Sequence, residues 1–174
     1  MNTCNEISPR VDPEMTSEGL EVSADGLAVS TRFEPDAWGA RVGCAALDLG
    51  AGGPWSEHGA DRLEVHVEGV GMSLGVGFLR RGGPATALAR LGAYPHSRRA
   101  AAVLLDSGRV VHGNRAVAET GFGYKTFLPG DTLVLEQLPG EEPVVYRSRR
   151  GGGRRVRLAA LPVHGLEPAP SGPS

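Results

Sequence analysis

The histidines of this chain are the first residues to test for chemistry, because imidazole serves both metal binding and acid–base catalysis. No two of them are separated by the two or four residues that a metal site on one strand or helix requires. His66 alternates with apolar residues, so we expect it on the solvated face of a strand. No glycine-rich phosphate-binding loop leads into a helical pattern. We therefore predict no catalytic residue, no metal ligand and no cofactor. The five histidines are His58, His66, His96, His112 and His164.

A dense group of arginines near the carboxyl end allows two interpretations. It could bind an anion or a nucleic acid, or it could be an exposed hairpin tip whose side chains point to water. No aromatic residue alternates with these arginines as a base-stacking platform would require, and the net charge of the chain is −2. We therefore favour the solvated hairpin and expect no nucleic-acid binding, with nucleic acid kept as a minor alternative. The group comprises Arg147, Arg149, Arg150, Arg154, Arg155 and Arg157 around three consecutive glycines.

Two long segments without periodicity, residues 31–60 and 80–99, contain the residue types that dominate protein interfaces. Tryptophan, tyrosine and arginine are enriched at binding hot spots, and loops on a rigid scaffold often carry function. Burial in the core is an equally good account of the two tryptophans. The predicted partner-binding residues are Trp38, Trp55, Arg80, Arg81, Tyr94, Arg98 and Arg99.

The elements that would position these residues are short strands. Residues 61–68 alternate apolar Leu63, Val65 and Val67 with polar side chains, which is typical of a half-buried strand. Residues 20–30, 103–111 and 127–147 each pair two β-prone runs across a turn signal, which predicts hairpins. The repetition favours an all-β sandwich or barrel.

Composition and length limit the class of protein. With 174 residues and 40% apolar content, the chain is predicted to form one domain over residues 11–169, with flexible ends at 1–10 and 170–174. The net charge gives no general attraction to anionic membranes. No apolar run is long enough to span a membrane, and the polar N-terminus lacks a signal core. Cys4 and Cys44 are expected as free thiols, which favours a cytoplasmic location.

Short patterns in a fixed order extend from residue 11 to residue 169. They are Val11-Asp12-Pro13, Leu20 to Gly26, Leu74-Gly75-Val76-Gly77, Pro129-Gly130-Asp131, residues 156–162 and Leu166 to Ala169. In this order they resemble the PRY–SPRY family. Leu63 stands where the family has an aromatic residue, and Ala101 and Ala102 replace its tryptophan-rich strand, so the chain resembles a divergent member.

The resemblance implies a single domain with two antiparallel sheets, a concanavalin-like β-sandwich that binds partners through loops at one end. Arg80, Arg81 and Tyr94 match one of those loops by position. We therefore expect a monomeric, non-enzymatic module that recognises a short peptide or the surface of a partner protein. A glycan-binding, lectin-like domain is the alternative, and an enzyme ranks third.

Overall fold

The structure, a computed structural model, describes residues 10–16, 20–31, 45–47, 61–69, 74–79, 101–112, 115–138 and 140–164. The ends predicted to be flexible lie outside this part of the chain, apart from Arg10. No helix in the described ranges is long and apolar enough to cross a membrane.

The described part of the chain is all-β, as the alternating patterns predict. Its only helical element in the described part is one 3₁₀ turn, Gly123–Lys125. The strands are β1 (Val11–Thr16), β2 (Leu20–Val22), β3 (Val29–Thr31), β4 (Ala45–Leu47), β5 (Asp61–His66), β6 (Gly75–Leu79), β7 (Ala101–Leu105), β8 (Arg109–His112), β9 (Arg115–Glu119), β10 (Thr132–Gln137), β11 (Val144–Ser148) and β12 (Val156–Ala160).

These strands pair into four antiparallel sheets. The β10 sheet has the order β12-β11-β10-β5, and the β7 sheet has the order β6-β7-β8-β9. Strands β1 and β4 form one smaller pair, and β2 and β3 form the other. The three hairpins expected from turn signals are all present as β2–β3, β7–β8 and β10–β11.

Both four-stranded sheets contribute side chains to one apolar cluster, an arrangement consistent with a β-sandwich. Ala102, Leu104 and Val110 come from the β7 sheet, whereas Leu133, Leu135 and Val145 come from the β10 sheet. Phe127 joins them from the loop that precedes β10. Leu63 and Val65 pack against this cluster and Val67 belongs to it, which confirms the apolar face predicted for residues 61–68.

Two elements depart from simple alternation. Strand β10 is buried on both faces at its centre, because Val134 is buried although it alternates with the core residues Leu133 and Leu135. Strand β9 is exposed at every position, and its pairing with β8 shifts by one residue between Val110 and Val111. A bulge and charged residues at both ends of a border strand discourage pairing with another chain.

The turn before β10 shows how its residue types decide the local geometry. Gly130 has φ +91°, a conformation that glycine adopts without strain. The buried Asp131 carboxylate accepts the Leu128 amide at 2.9 Å, and the Gly130 amide donates to the Val67 carbonyl at 2.7 Å. The Pro-Gly-Asp sequence therefore ties the start of β10 to the end of β5.

Candidate functional site

The seven residues predicted to bind a partner all lie outside the described part of the chain. Trp38 falls in residues 32–44 and Trp55 in residues 48–60. The other five, Arg80, Arg81, Tyr94, Arg98 and Arg99, fall in residues 80–100. Their assignment stays a prediction, and a candidate site has to be built from other residues.

The arginine group forms a hairpin, as predicted. We call residues 147–157 the arginine hairpin. Strand β11 pairs with β12, and the glycines between them form the tip, with φ +98° at Gly151 and +83° at Gly152. Residues other than glycine rarely adopt such positive φ angles, so the turn requires glycine at these two positions.

Arg147 does not point to water, contrary to the expectation for this hairpin. Its side chain is 6% exposed. Its Nη1 donates to the carbonyls of Lys125 at 2.8 Å and Thr126 at 3.0 Å, and its guanidinium carbon lies 4.7 Å from the centre of the Phe122 ring. The buried Nε has no hydrogen-bond partner in the described structure. The reason for the inward orientation is that two backbone carbonyls and an aromatic face replace the water that the cation loses.

The electrostatic surroundings of Arg147 are unusual for an arginine. Burial lowers the pKa of its guanidinium below the ordinary value, the adjacent Arg149 charge lowers that pKa further, and Asp131 opposes both effects. Arginine remains a cation at neutral pH. The interior therefore contains a fixed positive charge directly beneath the loop that Arg147 contacts.

Arg149 holds the same loop from a more exposed position. Its Nη2 donates to the Lys125 carbonyl at 2.9 Å, and its Nε lies 3.9 Å from the Asp131 carboxylate. Arg147 lies in β11 and Arg149 directly follows that strand. Because side chains two residues apart along an extended chain share a face, both reach the same loop.

The loop itself, residues 121–127, is here called the aromatic loop. It contains the 3₁₀ turn, and the buried Thr126 hydroxyl donates to the Gly123 carbonyl at 2.6 Å. Phe122 is 39% exposed and Tyr124 is 78% exposed. Two aromatic side chains therefore face solvent from a backbone that is fixed by hydrogen bonds.

Arg155 is engaged on the opposite side of the hairpin. Its guanidinium carbon lies 3.7 Å from the centre of the Tyr146 ring, and its Nη2 lies 3.0 Å from the Glu136 carboxylate. Tyr146 and Glu136 stand on the neighbouring strands β11 and β10, so Arg155 bridges the outer face of the β10 sheet.

Arg150, Arg154 and Arg157 differ from these three. All are exposed, and none forms a hydrogen bond or ion pair within the described residues. Arg150 also borders the Pro-Gly-Asp turn, because a Cβ placed on Gly130 would lie 3.6 Å from the Arg150 Cβ. The arginine hairpin and the aromatic loop therefore lie side by side at one end of β10 and β11.

Two of the histidines contact polar groups of neighbouring segments. His66 is exposed, as predicted, and its Nδ1 lies 3.0 Å from the Thr132 hydroxyl. Glu142 accepts the Val163 amide at 2.7 Å and lies 3.5 Å from the His164 ring nitrogen. It joins the β10–β11 turn to the segment after β12. Within the described ranges, no three metal-ligating side chains come together.

One serine-containing pattern in the sequence has the spacing of a catalytic motif, and the structure around it decides whether it is one. Residues 71–75 read Gly-Met-Ser-Leu-Gly, the spacing of a hydrolase nucleophile elbow. That elbow requires a helix directly after the serine turn. Here Gly75 begins strand β6 instead, so the required context is missing, and Ser73 itself lies outside the described residues.

The sequence does not reveal the aromatic loop as part of a site, because its contacts with the arginines are formed only in the tertiary structure. Phe122 and Tyr124 precede the arginines by more than twenty positions, and only the pairing of β10 with β11 brings them together. The glycines around both aromatics (Gly121, Gly123) were the available sign of an exposed turn.

Comparisons with known proteins give no match: no family model, no curated protein and no solved structure is similar to this chain. The resemblance to the PRY–SPRY family accordingly stays a prediction from the sequence.

Proposed function

We propose that this chain is a non-enzymatic, cytoplasmic protein-interaction module of the PRY–SPRY type. It binds a segment of a partner protein where the aromatic loop and the arginine hairpin lie side by side. The observation that carries the proposal is the exposure of Tyr124, at 78%, on a loop whose backbone is fixed from below by two arginines.

The physical argument is preorganisation. A binding loop that is already ordered loses less conformational entropy when it meets a partner. The Lys125 carbonyl accepts hydrogen bonds from both Arg147 and Arg149, and Thr126 closes the turn onto Gly123. Tyrosine and arginine next to each other are also the composition of an interface hot spot.

Tyr124→Ala tests the proposal against a matched change elsewhere. Immobilised wild-type chain, Tyr124→Ala and Leu27→Ala are compared for the partners they capture, followed by calorimetry on the recovered partner. Leu27 is a suitable control because it is 60% exposed and lies between β2 and β3. We expect Tyr124→Ala to cost about 1–3 kcal/mol of partner affinity and Leu27→Ala to cost less than about 0.5 kcal/mol.

Tyr94→Ala is the competing variant, because the sequence places Tyr94 in a candidate recognition loop. Loss of affinity with Tyr94→Ala but not with Tyr124→Ala would move the site to residues 80–99. Unchanged affinity in both variants, together with normal melting curves, would remove both loops from the interface.

A further inference from the structure

The six arginines of the arginine hairpin separate into two groups with different roles. Arg147 and Arg155 are committed to internal partners, the loop carbonyls and Phe122 for one and Tyr146 and Glu136 for the other. The second group is exposed and forms no hydrogen bond or ion pair within the described part of the chain. It comprises Arg150 and Arg154, on either side of the glycine tip, and Arg157 on β12. Arg149 lies between the two groups, since it bonds the Lys125 carbonyl while its side chain stays 43% exposed.

The charge at this end of the molecule opposes that of the rest. Residues 147–157 carry six arginines and no acidic residue, whereas the whole chain has a net charge of −2, so the remainder carries −8. Lys125 adds a further cation from the aromatic loop. A local excess of one sign attracts and orients ligands of the opposite sign.

The tip also has room for a ligand. A Cβ placed on Gly151 or Gly152 would meet no atom within 4 Å. Nothing in the described structure therefore covers the space between Arg150 and Arg154. Guanidinium groups are suited to bidentate pairing with carboxylates.

The form of the surface favours an acidic peptide over single-stranded nucleic acid. Nucleic-acid grooves combine a cationic track with several stacking rings. Here Tyr124 offers a free ring, but Phe122 already has the Arg147 guanidinium over one face. The cations that surround the tip lie on one hairpin and one loop, and an extended polyanion would continue onto a remainder of the molecule whose net charge is negative.

We propose that the partner segment is acidic and that its carboxylates pair with Arg150 and Arg154, with Arg149 and Lys125 at the border and Tyr124 packing beside them. This inference rests on the proposed function, because it names the chemistry of the partner that binds this end of the molecule.

The test uses fluorescence anisotropy with three labelled probes on the full chain. They are a peptide of Glu-Ser repeats, a Gln-Ser peptide of the same length and an oligothymidylate of matched length. The variant Arg150→Ser/Arg154→Ser is compared with Arg109→Ser/Arg115→Ser, which removes the same charge from exposed positions on β8 and β9.

We expect the Glu-Ser peptide to bind at least about tenfold more tightly than the Gln-Ser peptide. The Arg150/Arg154 variant should lose about tenfold in affinity, and the Arg109/Arg115 variant should lose less than about twofold. Equal binding of the two peptides, or equal losses in both variants, would overturn the inference. So would tighter binding of oligothymidylate that is lost with Arg150 and Arg154.

The outcomes also separate this inference from the proposed function. A recovered partner that needs Tyr124 but tolerates Arg150→Ser/Arg154→Ser would leave the interaction module standing and remove the acidic segment. Binding of the Glu-Ser peptide that depends on Arg150 and Arg154, with no partner dependent on Tyr124, would support the anion site and contradict the module.

Discussion

Arg147 shows how one side chain can be structural within a group that looks functional. An arginine without a carboxylate beside it is costly to bury, yet two carbonyls and the Phe122 ring surround this one. The sequence could not reveal this, since the carbonyl-bearing residues Lys125 and Thr126 are more than twenty positions away. The alternation of β11 places Arg147 on the same face as the buried Val145, and this was the one local signal that it points inward.

Arg147→Ala should destabilise the protein more than an equivalent change on the same hairpin. It removes two charge-assisted hydrogen bonds and the packing on Phe122, so we expect a loss of about 2–4 kcal/mol in the free energy of unfolding. Arg157→Ala, at an exposed position, should change that free energy by less than about 0.5 kcal/mol. Urea denaturation followed by circular dichroism measures both. Equal small losses would mean that the aromatic loop is held by other contacts.

The elements predicted best are the hairpins whose turns contain turn-forming residues such as glycine and aspartate. The β10–β11 and β2–β3 hairpins were predicted from glycine-containing turns between alternating runs. In the β2–β3 turn, Asp25 accepts hydrogen bonds from the Ser23 hydroxyl and the Leu27 amide. These bonds lower the pKa of the Asp25 carboxyl below the usual 3.8. Strand β9 was missed because its sequence, Arg-Ala-Val-Ala-Glu, shows no apolar alternation and packs nothing inward. A strand defined only by pairing with its neighbour leaves no pattern in the sequence.

Strand β6 contains a glycine that the pairing with β7 requires. A Cβ on Gly77 would lie 2.1 Å from the Ala102 carbonyl oxygen and 2.7 Å from the Val103 Cα, both of which are backbone atoms. Such contacts can be relieved only by moving one strand away from the other. Glycine inside a strand allows another backbone to approach closely, and Gly77 has that position against β7.

We therefore predict that Gly77→Ala lowers the free energy of unfolding by about 1–3 kcal/mol, the usual range for overpacking. Gly69→Ala serves as the control, because a Cβ there would meet nothing within 4 Å. Thermal and urea melts of the two variants give the comparison. A Gly77→Ala protein as stable as Gly69→Ala would show that β6 can shift on β7 without loss of packing.

At the scale of the whole molecule, the apolar cluster and the charge distribution were predictable to different degrees. The all-β class followed from periodicity, because alternation reports directly on which face is buried. The contrast between a cationic end and an acidic remainder could be counted from the sequence. The sequence could not show which arginines of the cationic end are engaged and which are free. That distinction depends on tertiary contacts, such as those of Arg155 with Tyr146 and Glu136.

The two four-stranded sheets should unfold together, whereas the β2–β3 hairpin should open locally. Leu104 on β7 and Leu135 on β10 belong to the same cluster, so exposing either one requires disrupting both sheets. Their amides should therefore exchange with solvent only through global unfolding and give equal protection free energies. No described side chain of the β2–β3 hairpin belongs to that cluster, and the hairpin exposes Leu27 and Val29. The Ser23 amide, which donates to the Ala28 carbonyl at 2.9 Å, should exchange by local opening, with a protection free energy lower by about 2 kcal/mol or more.

Hydrogen exchange measured by NMR distinguishes these amides. Clearly different values for Leu104 and Leu135 would mean that the two sheets open independently and that the shared cluster does not couple them.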